Sequence, residues 1–88
     1  MNENIEEYLV NELKKYLQIN SNITSNQNLF DLGLDSLSLI SLIIDIENIY
    51  KFEFNESDMI LEKFSTIADI GELIDNYLKW FLNNYNNS

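Results

Sequence analysis

Residues 30–47, FDLGLDSLSLISLIIDIE, set Ser36 behind an acidic, glycine-containing turn and directly ahead of a long apolar run. An Asp-Ser pair before periodic apolar residues marks a helix start, because short polar side chains accept the unpaired N–H groups of a first turn. Capping alone requires neither this much apolar sequence behind the serine nor Phe30, Leu32 and Leu34 leading into it. Asp35, Ser36 and Leu37 are therefore the first candidates for function.

Helical patterns flank this stretch on both sides. Ile5, Tyr8, Leu9, Leu13, Tyr16 and Leu17 recur at steps of three, four and one, with Glu6, Glu7, Glu12, Lys14 and Lys15 largely opposite, which predicts a helix over 4–18. Residues 19–35 are rich in Asn, Ser and Thr without a sustained period. They read as a long loop, unusual in so small a domain and of the kind that tends to be functional. Ile23, Leu29, Phe30, Leu32 and Leu34 are expected to pin it to the core. The second helix is predicted over 36–50 and a short third one over 56–61 behind an Asn55 cap. A fourth begins behind Thr66, where Thr66 and Asp69 have capping-box-like spacing. Its buried stripe is read as Ile67, Ile70, Ile74, Tyr77, Leu78 and Phe81, with Trp80 and Phe81 capping the bundle. The expectation is a single all-α domain, a four-helix bundle with a core over about 4–82 and a tail over 83–88 that frays.

Composition narrows the function. Five lysines, no arginine and fifteen carboxylates give a formal charge of −10. Such a surface repels phosphate backbones, which argues against nucleic acid, and suits partners with basic docking patches. Many such acids also serve solubility alone. Without cysteine there is no disulfide framework or thiolate metal site. The start, MNENIEEYLV, is acidic and polar, unlike a secretory signal. The apolar run over 37–46 is broken by Ser38, Ser41 and Asp45 and falls short of the ~20 residues a membrane span needs. A cytoplasmic protein that is a monomer when free is the expectation. Ser36 as a catalytic nucleophile lacks a base, since the chain has no histidine and no Gly-x-Ser-x-Gly elbow. Asp31 and Asp35 lack the spacing and glycine of a calcium loop.

The second helix has two apolar faces. At about 100° per residue, Leu39, Leu42, Ile43, Ile46, Ile49 and Tyr50 share one broad arc, read as the core face. Leu37, Ile40 and Ile44 fall nearly opposite, at i, i+3 and i+7. A surface helix in a small bundle needs only one apolar stripe, so this second one is either covered by the loop or the third helix, or it is a docking surface.

The 30–47 pattern, centred on the Asp35-Ser36-Leu37 triplet and flanked by helical segments over Ile5 to Leu82, resembles the phosphopantetheine attachment site of acyl carrier proteins. The resemblance implies a bundle whose second helix opens at the triplet. It implies that Ser36 carries a 4'-phosphopantetheine arm taken from coenzyme A, with Asp35 and Leu37 beside it. Acyl or aminoacyl cargo would ride on that arm as a thioester, and the chain itself would be a non-catalytic carrier subunit. The second helix would be the main recognition surface, through Leu37, Ile40, Ser41, Ile44, Glu47 and Asn48. The implied partners are a phosphopantetheinyl transferase, a loading enzyme (an adenylating ligase or acyltransferase), and downstream synthase or condensing enzymes.

The chain departs from fatty-acid carriers, whose second helix is usually acid-rich. Beyond Asp35, only Asp45 and Glu47 are acidic here, beside Ser38, Ser41 and Asn48. That looks more like carriers of polyketide or nonribosomal peptide assembly, although Gly33-Leu34-Asp35-Ser36 lacks the Gly-Gly form common in peptidyl carriers. Fatty-acid and D-alanyl carriers stay open, as does an acidic helical adaptor without a prosthetic group.

Overall fold

The chain's structure, a computed structural model, describes residues 2–86 and contains three α-helices and no strand among them. Helix α1, Glu3–Leu17, starts where the Asn2 side chain accepts the Asn4 N–H at 2.8 Å. It stops at Gln18, which turns into the left-handed region at φ 56°. Helix α2, Ser36–Tyr50, occupies the expected span, with Asp35 as N-cap and Lys51 as a left-handed C-cap at φ 62°. Helix α3, Ile67–Asn86, begins where Thr66 Oγ1 accepts the Asp69 N–H at 3.0 Å, the capping contact expected from their spacing.

Ile5, Leu9 and Leu13 of α1 meet Leu39, Leu42, Ile43 and Ile46 of α2 and Ile67, Ile70, Leu73 and Ile74 of α3 in one core. The core stripes on the three helices match the sequence pattern, with two differences. Ile49, expected in the core, is exposed, because the bundle wraps only part of α2 near its end. Phe81 is also exposed, since α3 runs beyond its neighbours after Leu78. The same overrun carries helix through residues 83–86, where fraying was expected; Asn87 and Ser88 lie outside the described residues.

The expected third helix does not form. Residues 56–61 hold only a 3-10 turn, Glu56–Asp58, and a second, Leu61–Phe64, follows it. Asn55 makes no capping bond with its side chain, and between the turns Met59 and Ile60 leave helical geometry. Phe64 is the only buried residue of the two turns, so burial rewards no regular helix. Instead the segment is held by the Asp58 carboxylate, which pairs with Lys63 and accepts the Tyr77 hydroxyl at 2.5 Å, and by Phe64 packing edge-on against Phe54.

The loop over 18–35 is tied down from both sides. Ile23, Leu29 and Leu34 are buried, with Phe30 and Leu32 packed against the core. The Leu29 N–H donates to Ser65 O at 2.8 Å and the Ala68 N–H to Ser25 O at 3.0 Å, which couples the loop to the start of α3. Between α1 and α2 the Tyr16 hydroxyl donates to the Asp45 carboxylate at 2.5 Å.

Two outcomes follow. Leu42→Ala or Ile46→Ala should destabilise the chain by roughly 2–5 kcal/mol in urea unfolding, as buried large-to-small changes do, whereas Ile40→Ala or Ile44→Ala should cost far less. Equal losses in the two pairs would contradict the burial pattern. The Tyr16 phenol is pushed up from 10.0 to about 12, first by its bond to Asp45 and then by burial. The folded chain keeps a proton there that the unfolded chain releases, so this stabilisation is complete below pH 10 and is lost as pH climbs towards 12. The urea midpoint of Tyr16→Phe should be lower at neutral pH but fall less between pH 10 and 12 than that of the unaltered chain.

Candidate functional site

The turn before α2 is wound by its own backbone. Asn28 Oδ1 accepts the N–H groups of Phe30 and Asp31 at 2.9 and 3.0 Å. Leu29 O accepts from Leu32 at 3.1 Å and from Leu34 at 3.0 Å. Gly33 closes the turn at φ +110°, a conformation that a side chain would strain, while the nearest atom to a Cβ there would be Leu17 Cδ2 at 4.0 Å. The glycine is thus required by backbone conformation and not by crowding. With Leu29 and Leu34 buried at either end, the turn delivers Asp35 and Ser36 to a fixed place on the surface.

Asp35 has extended backbone, and its carboxylate accepts the Ser38 N–H at 2.7 Å while its carbonyl takes the first helical bond, from Leu39, at 2.9 Å. The Ser38 N–H, followed by the Ser38 hydroxyl, holds this carboxyl below its usual range. Asp35 is thereby engaged as the cap. Ser36 beside it is exposed, and its hydroxyl enters no hydrogen bond among the described residues. An open hydroxyl at the positive end of a helix dipole, with Asp35 already satisfied, is chemically suited to carrying a phosphodiester.

The second apolar stripe lies open. Leu37, Ile40 and Ile44 are 75%, 53% and 50% exposed, and neither the loop nor the 3-10 turns cover them. They form a ridge leading away from Ser36 along α2, with half-buried Ser41 and exposed Asn48 at its flanks. Glu47, also expected on the docking surface, has a structural contact as well. Its carboxylate accepts the Phe54 N–H at 2.9 Å, and its carbonyl accepts from Lys51 and Phe52, so it closes the end of α2. Asp45 is held by Tyr16. The carboxylates of α2 and its cap are therefore all engaged internally, Asp35 by Ser38, Asp45 by Tyr16 and Glu47 by Phe54. The partners of Asp45 and Glu47 lie 29 and 7 residues away in sequence, which is why spacing on the helix alone did not reveal them.

Comparison with known proteins agrees with this geometry. The family model described as the phosphopantetheine attachment site matches residues 7–74. An acyl carrier protein of Phytoplasma mali is 36% identical over 80 residues, which cover 83% of this chain and 87% of that one. Among solved structures, a candidate acyl carrier protein of Mycobacterium tuberculosis superposes with a TM-score of 0.71 at 28% identity, covering 83% of this chain and 97% of that one. A chain in the structure of Bradyrhizobium japonicum glycine:[carrier protein] ligase complexed with glycylated carrier protein shares the fold, with a TM-score of 0.63 at 22% identity over 80% of this chain and 97% of that one.

Proposed function

The chain belongs to the acyl carrier protein family, whose prosthetic group is a covalently attached 4'-phosphopantetheine, and on that premise we propose that Ser36 bears this group and that the chain serves polyketide- or nonribosomal-peptide-type assembly. The observation that carries the proposal is the open Ser36 hydroxyl at the start of α2, next to an uncovered apolar ridge. When attached, the arm supplies a mobile thiol that holds acyl or aminoacyl groups as thioesters.

The residues of the chain have three tasks. Ser36 provides the hydroxyl that a phosphopantetheinyl transferase esterifies. Asp35 holds the first turn of α2, so that the remaining N–H groups and the helix dipole face the phosphate, a favourable interaction of ~0.3–1 kcal/mol. Leu37, Ile40 and Ile44 offer the loading and condensing enzymes an apolar surface beside the arm, with Ser41 and Asn48 at its edge. Catalysis belongs to those partners.

The pathway reading rests on the engagement of Asp45 and Glu47. A partner that recognises α2 through paired arginines finds few carboxylates on this helix, each already oriented by an internal hydrogen bond, whereas an apolar docking face finds an open ridge. Fatty-acid synthesis or D-alanyl transfer is the alternative. Aminoacyl cargo stays beside acyl cargo because the fold is shared with a chain solved in a complex of a glycine ligase with its glycylated carrier protein.

Incubation with coenzyme A and a broad-specificity transferase should add one phosphopantetheine mass, and Ser36→Ala should abolish the gain with helical circular dichroism intact. Labelling that survives Ser36→Ala would place the arm elsewhere, and no labelling of the unaltered chain would favour an adaptor without a prosthetic group. For docking, Ile44→Glu should reduce the loading rate by the cognate enzyme much more than Glu47→Gln, because it sets a charge in a desolvated contact while Gln still accepts the Phe54 N–H. The reverse order would point to electrostatic docking of the fatty-acid type.

A further inference from the structure

A second surface lies at the opposite end of the molecule from Ser36. The segment over 52–55 and the C-terminal half of α3 enclose an open groove of about 650 Å³, whose walls include Phe52, Glu53, Tyr77, Trp80 and Phe81, with the mutually paired Asp58 and Lys63 at its floor. Its inner wall is tied together by stacking and hydrogen bonds. Phe52 stacks on Tyr77 with ring centroids 4.9 Å apart and planes 14° from parallel. The Tyr77 hydroxyl accepts the Asn55 N–H at 2.7 Å and donates to Asp58, which also pairs with Lys63. Among the described residues the outer wall is uncovered: Trp80 is 63% exposed, and Phe81 and Leu82 are exposed beside it. Tyr77, Trp80 and Phe81 stand at i, i+3 and i+4, so one face of α3 carries the aromatic stripe past the end of the core.

We propose that this groove docks an arginine-bearing segment of a partner protein. Three features select that occupant. The aromatic faces present negative π-surface, on which a planar, weakly hydrated guanidinium stacks more readily than an ammonium. Glu53 at the rim is exposed and joins no ion pair among the described residues, which leaves a carboxylate for the forked N–H groups. The chain carries a charge of −10 and no arginine of its own, so a cationic segment is attracted over the whole approach, whereas a neutral apolar one would desolvate Glu53 without compensation. The 15 residues of α2 separate the groove from Ser36 by about 20 Å, so a partner held here leaves the arm and its ridge free for another enzyme.

Trp80 is the chain's only tryptophan, so its emission reports on the groove directly. The probe is a short peptide carrying two arginines among leucines, titrated beside the same peptide with citrulline in place of arginine. The arginine peptide should shift Trp80 emission saturably, and the citrulline peptide and the folded Glu53→Gln variant should each bind roughly tenfold more weakly, as expected for loss of a charge-assisted contact. Leu37→Ala, on the distant ridge, should bind as the unaltered chain does. Equal affinity for the citrulline peptide, loss of binding in Leu37→Ala, or no saturable shift would overturn the proposal. So would a Trp80 shift with protein concentration alone, accompanied by dimers in sedimentation velocity, since a second copy would then fill the groove.

Discussion

Burial of Leu39, Leu42, Ile43 and Ile46 sets the rotation of α2 about its axis, and the surface chemistry of the molecule follows from that rotation. A helix with apolar residues on two faces can turn only one of them into a bundle of this size. Once the four core residues face α1 and α3, Leu37, Ile40 and Ile44 must point outwards. The same rotation brings Asp45 within reach of Tyr16 and aims Glu47 at the backbone that leaves the helix. Exposing apolar surface has a solvation cost, and its continuity along one ridge is what makes it resemble an interaction surface and not scattered exposure.

The strong negative charge of the chain and the acid-poor, apolar surface of α2 meet in how its few carboxylates are oriented. Asp35, Asp45 and Glu47 each accept a hydrogen bond that holds the fold: a helix cap, a strut to α1, and the closure of α2. A charge count along the helix misses this structural task, by which each carboxylate also helps hold the ridge in place. Long-range attraction of cationic partners persists, because distant charges sum regardless of local hydrogen bonding. Close-range recognition on α2 then falls to shape and apolar contact.

Irregular segments hold the structure where helix is lacking. The loop over 18–35 has no period of its own, yet Leu29 and Leu34 bury fully enough to fix the turn that presents Ser36, and its bonds to Ser65 and Ala68 fasten it to α3. The segment after α2 is organised by aromatic contacts, Tyr50 on Phe52, Phe52 on Phe54 and Tyr77, and Phe54 on Phe64. Those contacts compete with a regular third helix and prevail, because they bury rings whereas a helix over 56–61 would bury almost nothing.

Local signals were sufficient for much of this. The 3.6-residue period marked all three α-helices, the Asp-Ser step located the start of α2, the Thr66–Asp69 spacing located that of α3, and Gly33 stood where a positive φ is needed. Asp35, Ser36 and Leu37 were legible as a candidate site for the same reason, since a cap and the residues after it are neighbours in sequence. Whether the second stripe of α2 was covered, which acids were engaged, and that Phe81 and Ile49 lay outside the core depended on neighbours brought from afar. Periodicity states which residues share a face. Only packing in three dimensions decides which faces the rest of the chain is long enough to cover.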